Sequence, residues 1–525
     1  MTQRKRLPFS FLLIVALATG LWMVNSTRVE ASPLHAPRTP APTLTPIPTL
    51  PPNSYLVSVS GSDANPGTLA SPWRHIQYAL DHVGAGSTVN VLTGVYNETA
   101  TFRSSGSAGG GYIVLQAYPG NTPVIDGTGL PISGETGLVV IENKSYIKVI
   151  GFEVRNLKAG GSTSAFPAGI WIRGYGDHIE IRNNKVHDIE NSCSRCGAHG
   201  IAVYGRSATN SFHDITIDSN EVYNGKFGWS ESLVLNGNVE LFTVSANVVH
   251  DNDNIGIDLI GYEGTAPDPA VDRARDGTVI GNTVYNISSY GNPAYGTERS
   301  ADGVYVDGGT RILIERNNIH DTNIGIELAS EHGDTDTSYI TVRNNFVYSN
   351  TQIGIAIGGY DKRRGSTQNC VIVNNTLYNN FTQRDWGAEL YVQFDTRNNI
   401  IKNNIFFAND ARRFIESWST VMTANVVDRN MYYALGSGTT GTWIWKNVAY
   451  TTFAAYQAGS GNDATGLVGL DPLLVNPAGG DLHIGAGSPA INAGENLPSE
   501  QMGTADIDGD PRISGKIVDI GADER

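Results

Sequence analysis

The chain has 525 residues, a formal net charge of −15, 17% charged residues and three cysteines. That acidity excludes a nucleic-acid-binding role and disfavours a polyanionic substrate unless a cation intervenes. Three cysteines are too few for a disulfide scaffold.

The N-terminus reads as an export signal. Arg4, Lys5 and Arg6 precede the apolar run "FSFLLIVALATGLWMV", and Val29-Glu30-Ala31 offers a cut after Ala31. Residues 1–31 are therefore expected to be a signal peptide, with an uncleaved anchor as the alternative. No later apolar run approaches the ~18 residues needed to cross a bilayer. Residues 32–53, "SPLHAPRTPAPTLTPIPTLPPN", form a Pro/Thr-rich linker. The expected location is secreted or cell-surface.

Residues 54–525 carry no Pro-rich break and are expected to form one elongated domain. The opening reads as a strand, a turn-rich loop, a short helix and a strand. Ile76, Tyr78, Ala79 and Val83 give the helix one apolar face, suited to capping an open sheet end.

A repeat then dominates. Segments such as "IEIRNNKVHD", "ITIDSNEVYN" and "ILIERNNIHD" align Asn184, Asn220, Asn247, Asn282, Asn317, Asn345, Asn375 and Asn404. The spacings run from 27 to 36 residues, a period that marks a solenoid. Phe152 takes the Asn slot one coil earlier. Each unit adds a second strand of the form Gly-Ile-x-Ile, as in "GIWIRG", "GIDLIG" and "GVYVDG". Short period-2 strands stacked about 4.8 Å apart make a parallel β-helix. The asparagines then form a hydrogen-bonded ladder, a structural role. Regular coils are expected over about 138–410 and an irregular closing segment over about 411–525. Cys193 and Cys196 are disulfide-bonded or free thiols, with His199 a weak third metal candidate, and Cys370 lies in a core strand. Asp506, Asp508 and Asp510 suggest calcium, but Ile517 stands where an EF-hand loop needs Glu, so a turn is expected.

The "GSDANPGT…SPW" opening, the Asn coils and the "GSPAINAG…DIGA" tail resemble the secreted right-handed parallel β-helix proteins of the pectin-lyase-like superfamily. The resemblance implies an all-β fold, a right-handed parallel β-helix with a short N-terminal capping helix. That superfamily includes lyases, glycoside hydrolases, epimerases and tailspikes, so chemistry must come from the site.

In Gly-Ile-x-Ile the isoleucines point in and the x residues out. The outward positions include Trp171, Tyr204, Asp258, Tyr305, Asp307, Glu327, Glu389, Tyr391 and Gln393. Long insertions flank Asp258 and Asp307, as binding loops on a rigid scaffold do. The expected catalytic pair is Asp307 and Glu327, on adjacent coils and two residues out of register, which suits glycosidase carboxyl spacing. Asp258, Asp302, Tyr305, Trp171, Tyr204, Tyr391 and Glu389 are expected to bind substrate. Three functions remain open: a glycoside hydrolase, a calcium-assisted uronate lyase and a non-catalytic glycan-binding protein. The lyase would use Asp258, Asp302 and Asp307 for calcium and Arg273 or Arg299 as base. The expected partner is a poly- or oligosaccharide, the chain a monomer, and no cofactor is required outside the calcium alternative.

Overall fold

The computed structural model describes residues 51–525, so the expected signal peptide and nearly all of the expected linker lie outside the described residues. The body is an all-β, right-handed parallel β-helix of about 13 turns. Two of its sheets have 13 strands each, and the third has 18. No helix among the described residues is long and apolar enough to cross a membrane.

The inward isoleucines, valines and leucines form one continuous cluster along the axis, from Val57 to Tyr456. Each fully buried aliphatic side chain contributes roughly 1.5–3 kcal/mol. The glycine opening Gly-Ile-x-Ile is required by crowding. A Cβ on Gly256 would lie 2.6 Å from the carbonyl oxygen of Gly303 and 2.7 Å from Val284.

Each ladder asparagine follows a residue whose backbone turns the chain. Asn183, Ser219, Ala246, Arg316, Asn344, Asn374 and Asn403 all have φ near +55°, a region that Asn tolerates better than most residues. The turn buries the next side chain between coils. Asn282 Nδ2 donates to Asn317 Oδ1 at 3.0 Å and to the Val244 carbonyl at 3.0 Å, and its backbone N–H donates to the same Asn317 oxygen. The pattern runs from Phe152, whose N–H donates to Asn184 Oδ1, past Asn404 to Asn430. It ends on Asp463, whose Oδ1 accepts from Asn430 and whose Oδ2 accepts from the Tyr432 hydroxyl. The ladder thus extends beyond the regular stretch of about 138–410 expected from sequence.

The N-terminal end is covered by the helix Ile76–His82, with Ile76, Ala79 and Leu80 buried. Glu98 accepts from the free N–H groups of Ile76 and Gln77. The other end is plugged by the helix Phe453–Ser460 and an aromatic cluster of Phe414, Tyr432, Trp443, Phe453 and Tyr456. This helix lies within the closing segment expected over about 411–525. The later tail returns along the flank of the coils. There the turn asparagines hold it: Asn344 Nδ2 donates to the carbonyls of Met502 and Ala505, and Asn374 Nδ2 to that of Asp519. Buried Arg512 donates to the carbonyls of Ala522, Asp519 and Asp523 and to Asn344 Oδ1. Asp506 forms the expected turn, accepting from the N–H groups of Asp508 and Asp510. Cys193 and Cys196 are disulfide-bonded, and Cys370 is buried and free.

Replacing Asn317 by Ala should lower unfolding free energy by about 1–3 kcal/mol, because donors and acceptors on both neighbouring coils lose buried partners. Chemical denaturation checks this. Arg512→Met should leave the coils folded yet expose residues 464–525 to limited proteolysis. A protected tail would show that its other contacts suffice.

Candidate functional site

The site lies on the outer face of the sheet formed by the Gly-Ile-x-Ile strands. One row of paired residues runs Trp171, Ala202, Val234, Asp258, Tyr305, Glu327, Ala356 and Tyr391. Asp307 on the strand Asp302–Asp307 pairs with Ala329 on Ile324–Ala329, while Tyr305 pairs with Glu327. Asp307 and Glu327 are therefore on adjacent coils and offset by two residues. A further outward column arises where strict alternation breaks at the glycine. It contains His199, paired with Ala168, and Asp302, paired with Ile324. Glu231 occupies the same position relative to its strand.

This outer face is covered, which the sequence did not indicate. Asp258, Asp302, Asp307, Glu327 and Glu231 are all at most 8% exposed. The insertions fold back over the sheet. Asn292 in one loop donates to the Gly228 and Asp253 carbonyls, and Tyr295 packs on Trp229. In another loop Glu263 accepts from Asn236 Nδ2 at 2.9 Å. Glu331 and Glu263 stand exposed at the rim.

Among the described residues, these seven acids have no ion pair to lysine or arginine; only His199 faces one, at 3.5 Å from Glu231. In Glu231, Asp258, Asp302 and Asp307, burial first and neighbouring acids second hold the proton on. Asp258 is raised well above the usual carboxylate range, with Glu231, Asp307 and Asp302 adding to burial. Asp307 is raised in the same way, with Glu331 the main neighbour, although its Oδ1 accepts from the Glu331 N–H at 2.7 Å. Glu327 behaves differently. Burial pushes it up to about 7, opposed by a hydrogen bond from Gln393 Nε2 at 2.8 Å and by one from Asp302. In the Asp302–Glu327 pair the proton rests on Asp302, raised by burial and by Glu327. Such a pair titrates as a unit.

The aromatic expectations need correction. Trp171 is 1% exposed. Its ring lies 5.3 Å from His199 and 5.1 Å from Tyr204, leaving no open face for a sugar. Tyr305 is buried against Ile255 and Ala329. Tyr204 and Tyr391 are half-buried, and Tyr204 hydroxyl meets His199 Nε2 at 3.2 Å. Burial lowers His199 to about 4, so it is neutral. Glu389 is also corrected. It is fully buried, accepts from the backbone N–H and Nδ2 of Asn380, and ends a second buried asparagine stack through Asn350.

Asp258, Asp302 and Asp307 supply hard oxygen donors suited to calcium, and Asp258 Oδ1 and Asp302 Oδ1 are buried without hydrogen-bond partners. The ligand atoms that converge within 4.8 Å are instead those of Glu263, Asp307 and His332. Only Asp307 belongs to both sets, and an imidazole departs from an all-oxygen calcium shell. The bases expected for a lyase lie elsewhere. Arg273 donates to the Gly309 and Asp336 carbonyls. The guanidinium carbon of Arg299 lies over the Tyr290 ring, 4.0 Å from its centroid.

Residues 55–260 match the family described as Pel9A-like, right handed beta helix region, and residues 270–454 match that described as right handed beta helix region. The uncharacterized protein YwoF of Bacillus subtilis (strain 168) is 42% identical over 435 residues, 83% of this chain and 91% of that protein. The chain belongs to the right-handed β-helix proteins of the pectin-lyase-like superfamily. Pectate lyase PEL9 of Emericella nidulans is 31% identical over 144 residues, covering 24% of this chain and 33% of that enzyme. Among solved structures, the complex of XylC with xylose superposes with a TM-score of 0.51 at 12% identity, over 89% of this chain and 98% of that one. For this superfamily member the likeness to XylC establishes fold alone, and the buried acids must carry the functional argument.

Proposed function

We propose that this chain is an exported glycoside hydrolase that cleaves an oligo- or polysaccharide with Asp307 and Glu327. The observation that carries the proposal is the contrast between two buried acids on adjacent strands. Burial and neighbouring acids keep Asp307 protonated, as a general acid must be. Glu327 is steadied as a carboxylate by Gln393, as a nucleophile or base must be. Two carboxyls with opposite protonation are the minimum equipment for glycoside cleavage. Asp302, in direct reach of Glu327, is too close to flank a glycosidic bond with it. It acts by sharing a proton with Glu327. The xylose bound by the fold relative XylC is consistent with a sugar ligand.

A calcium-assisted uronate lyase is the second reading. It is favoured by the convergence of Glu263, Asp307 and His332 and by the local likeness to pectate lyase PEL9. Of its two expected bases, Arg273 is tied to backbone carbonyls and Arg299 is held over Tyr290. Incubation with neutral and acidic glycans, with and without EDTA, separates the readings. Reducing ends without ultraviolet absorbance from an unsaturated product support hydrolysis. An EDTA-sensitive unsaturated product supports elimination, and binding without cleavage supports a lectin-like role.

Asp307→Asn and Glu327→Gln should each reduce turnover at least ~100-fold while the fold survives. Near-normal turnover in both would remove the pair from the mechanism. Because Glu327 must be ionised, kcat/KM should fall as pH drops through about 7. Asp302→Asn, which replaces the acid O–H beside Glu327 with a weaker amide donor, should move that acidic limb to higher pH. An unmoved limb would assign it to another group.

A further inference from the structure

Beside the acid face lies a separate pocket of about 360 Å³, lined by Thr297, Glu298, Arg299, Ser300, Gln352, Asp385 and Trp386. Three observations mark it as built to hold a ligand. Gln352 is 1% exposed, yet its Oε1 has no hydrogen-bond partner. A buried carbonyl oxygen left unpaired is unfavourable by roughly 1–3 kcal/mol, which a ligand O–H or N–H would remove. Trp386 is 38% exposed in the middle of an otherwise polar wall. Its flat ring offers the apolar face on which the C–H side of a sugar packs. Arg299 is held over Tyr290, which orients its guanidinium without an acidic partner among the described residues.

The pocket borders the acid face. Ser300 is two residues before Asp302. Gln352 directly precedes Ile353, which belongs to the outward column of Asp302 and Ile324. Trp386 meets Tyr391 edge-on at 6.2 Å, and Tyr391 is in the same row as Glu327. The charge decides the ligand class. One guanidinium and two carboxylates, Glu298 and Asp385, line the pocket, so it offers hydrogen-bond acceptors for hydroxyls and no excess positive charge for a uronate.

We propose that this pocket is a subsite for an uncharged sugar unit of the oligosaccharide whose linkage reaches Asp307 and Glu327, with the ring on Trp386 and a hydroxyl donated to Gln352. This rests on the hydrolase reading for the position of the linkage, and the test keeps the two apart. Calorimetric titration of the full exported chain would use xylose, xylotetraose, glucose, cellotetraose and tetragalacturonate. A neutral tetramer should bind at least ~10-fold more tightly than its monomer. Trp386→Ala and Gln352→Met should each remove that advantage, while monomer binding changes little. A tetramer advantage surviving in both variants, a preference for tetragalacturonate, or no binding of any of these sugars would overturn the subsite. Loss of tetramer binding in the variants of a chain that cleaves none of these glycans would retain the subsite and overturn the hydrolase reading.

Discussion

Everything in this molecule depends on the hydrogen-bonded contact between one ladder asparagine and the next. Each carboxamide receives two donors from the coil before and gives its own protons to a carbonyl and to the coil after, as Asn282 does between Val244 and Asn317. This satisfies buried polar groups at a sharp corner, where an unpaired amide is expensive. It also allows only one register, because a coil shifted by a residue would bury a turn residue in place of Asn. Loops of any length can therefore leave the helix without disturbing the stack. The insertions after Asp258 and before Asp302 exploit that freedom.

The fixed register makes a tolerable home for otherwise repelling acids. Stacked carboxylates on neighbouring strands destabilise a sheet. Here burial resolves the conflict by keeping most of them protonated, while Gln393 selects Glu327 as the carboxylate. Uncovering the face would let the acids ionise and repel. The loops thus set the protonation of the site as well as its shape, and a loop deletion should alter pH dependence before it alters the fold.

Much of this was legible in the sequence. The Asn period and the Gly-Ile-x-Ile strands specify a β-helix because both are local, repeated and tied to burial. They also place Asp307 and Glu327 two residues out of register. What was not legible depends on long-range contacts. Trp171 looks like a sugar platform until His199 and Tyr204 are seen covering it. Glu389 follows the alternation pattern, yet a second asparagine stack claims its carboxylate. Glu231 was missed because it stands one place before the strand motif. Asp302, which the sequence did offer, occupies the same place, so comparing the residue before each Gly or Ser of that motif would have revealed Glu231.

The turn residues show how the same repeat acquires a second task. The residue before each ladder asparagine needs only to accept φ near +55°, and Ser219, Ala246 and Arg316 do so as well as Asn. In later coils the position is Asn344, Asn374 and Asn403, and each of these side chains grips the returning tail. The Asn doublet therefore combines two separable requirements. The second Asn is demanded by the stack, and the first is free to vary wherever no tail lies over it. Asn344, Asn374 and Asn403 meet both requirements at once.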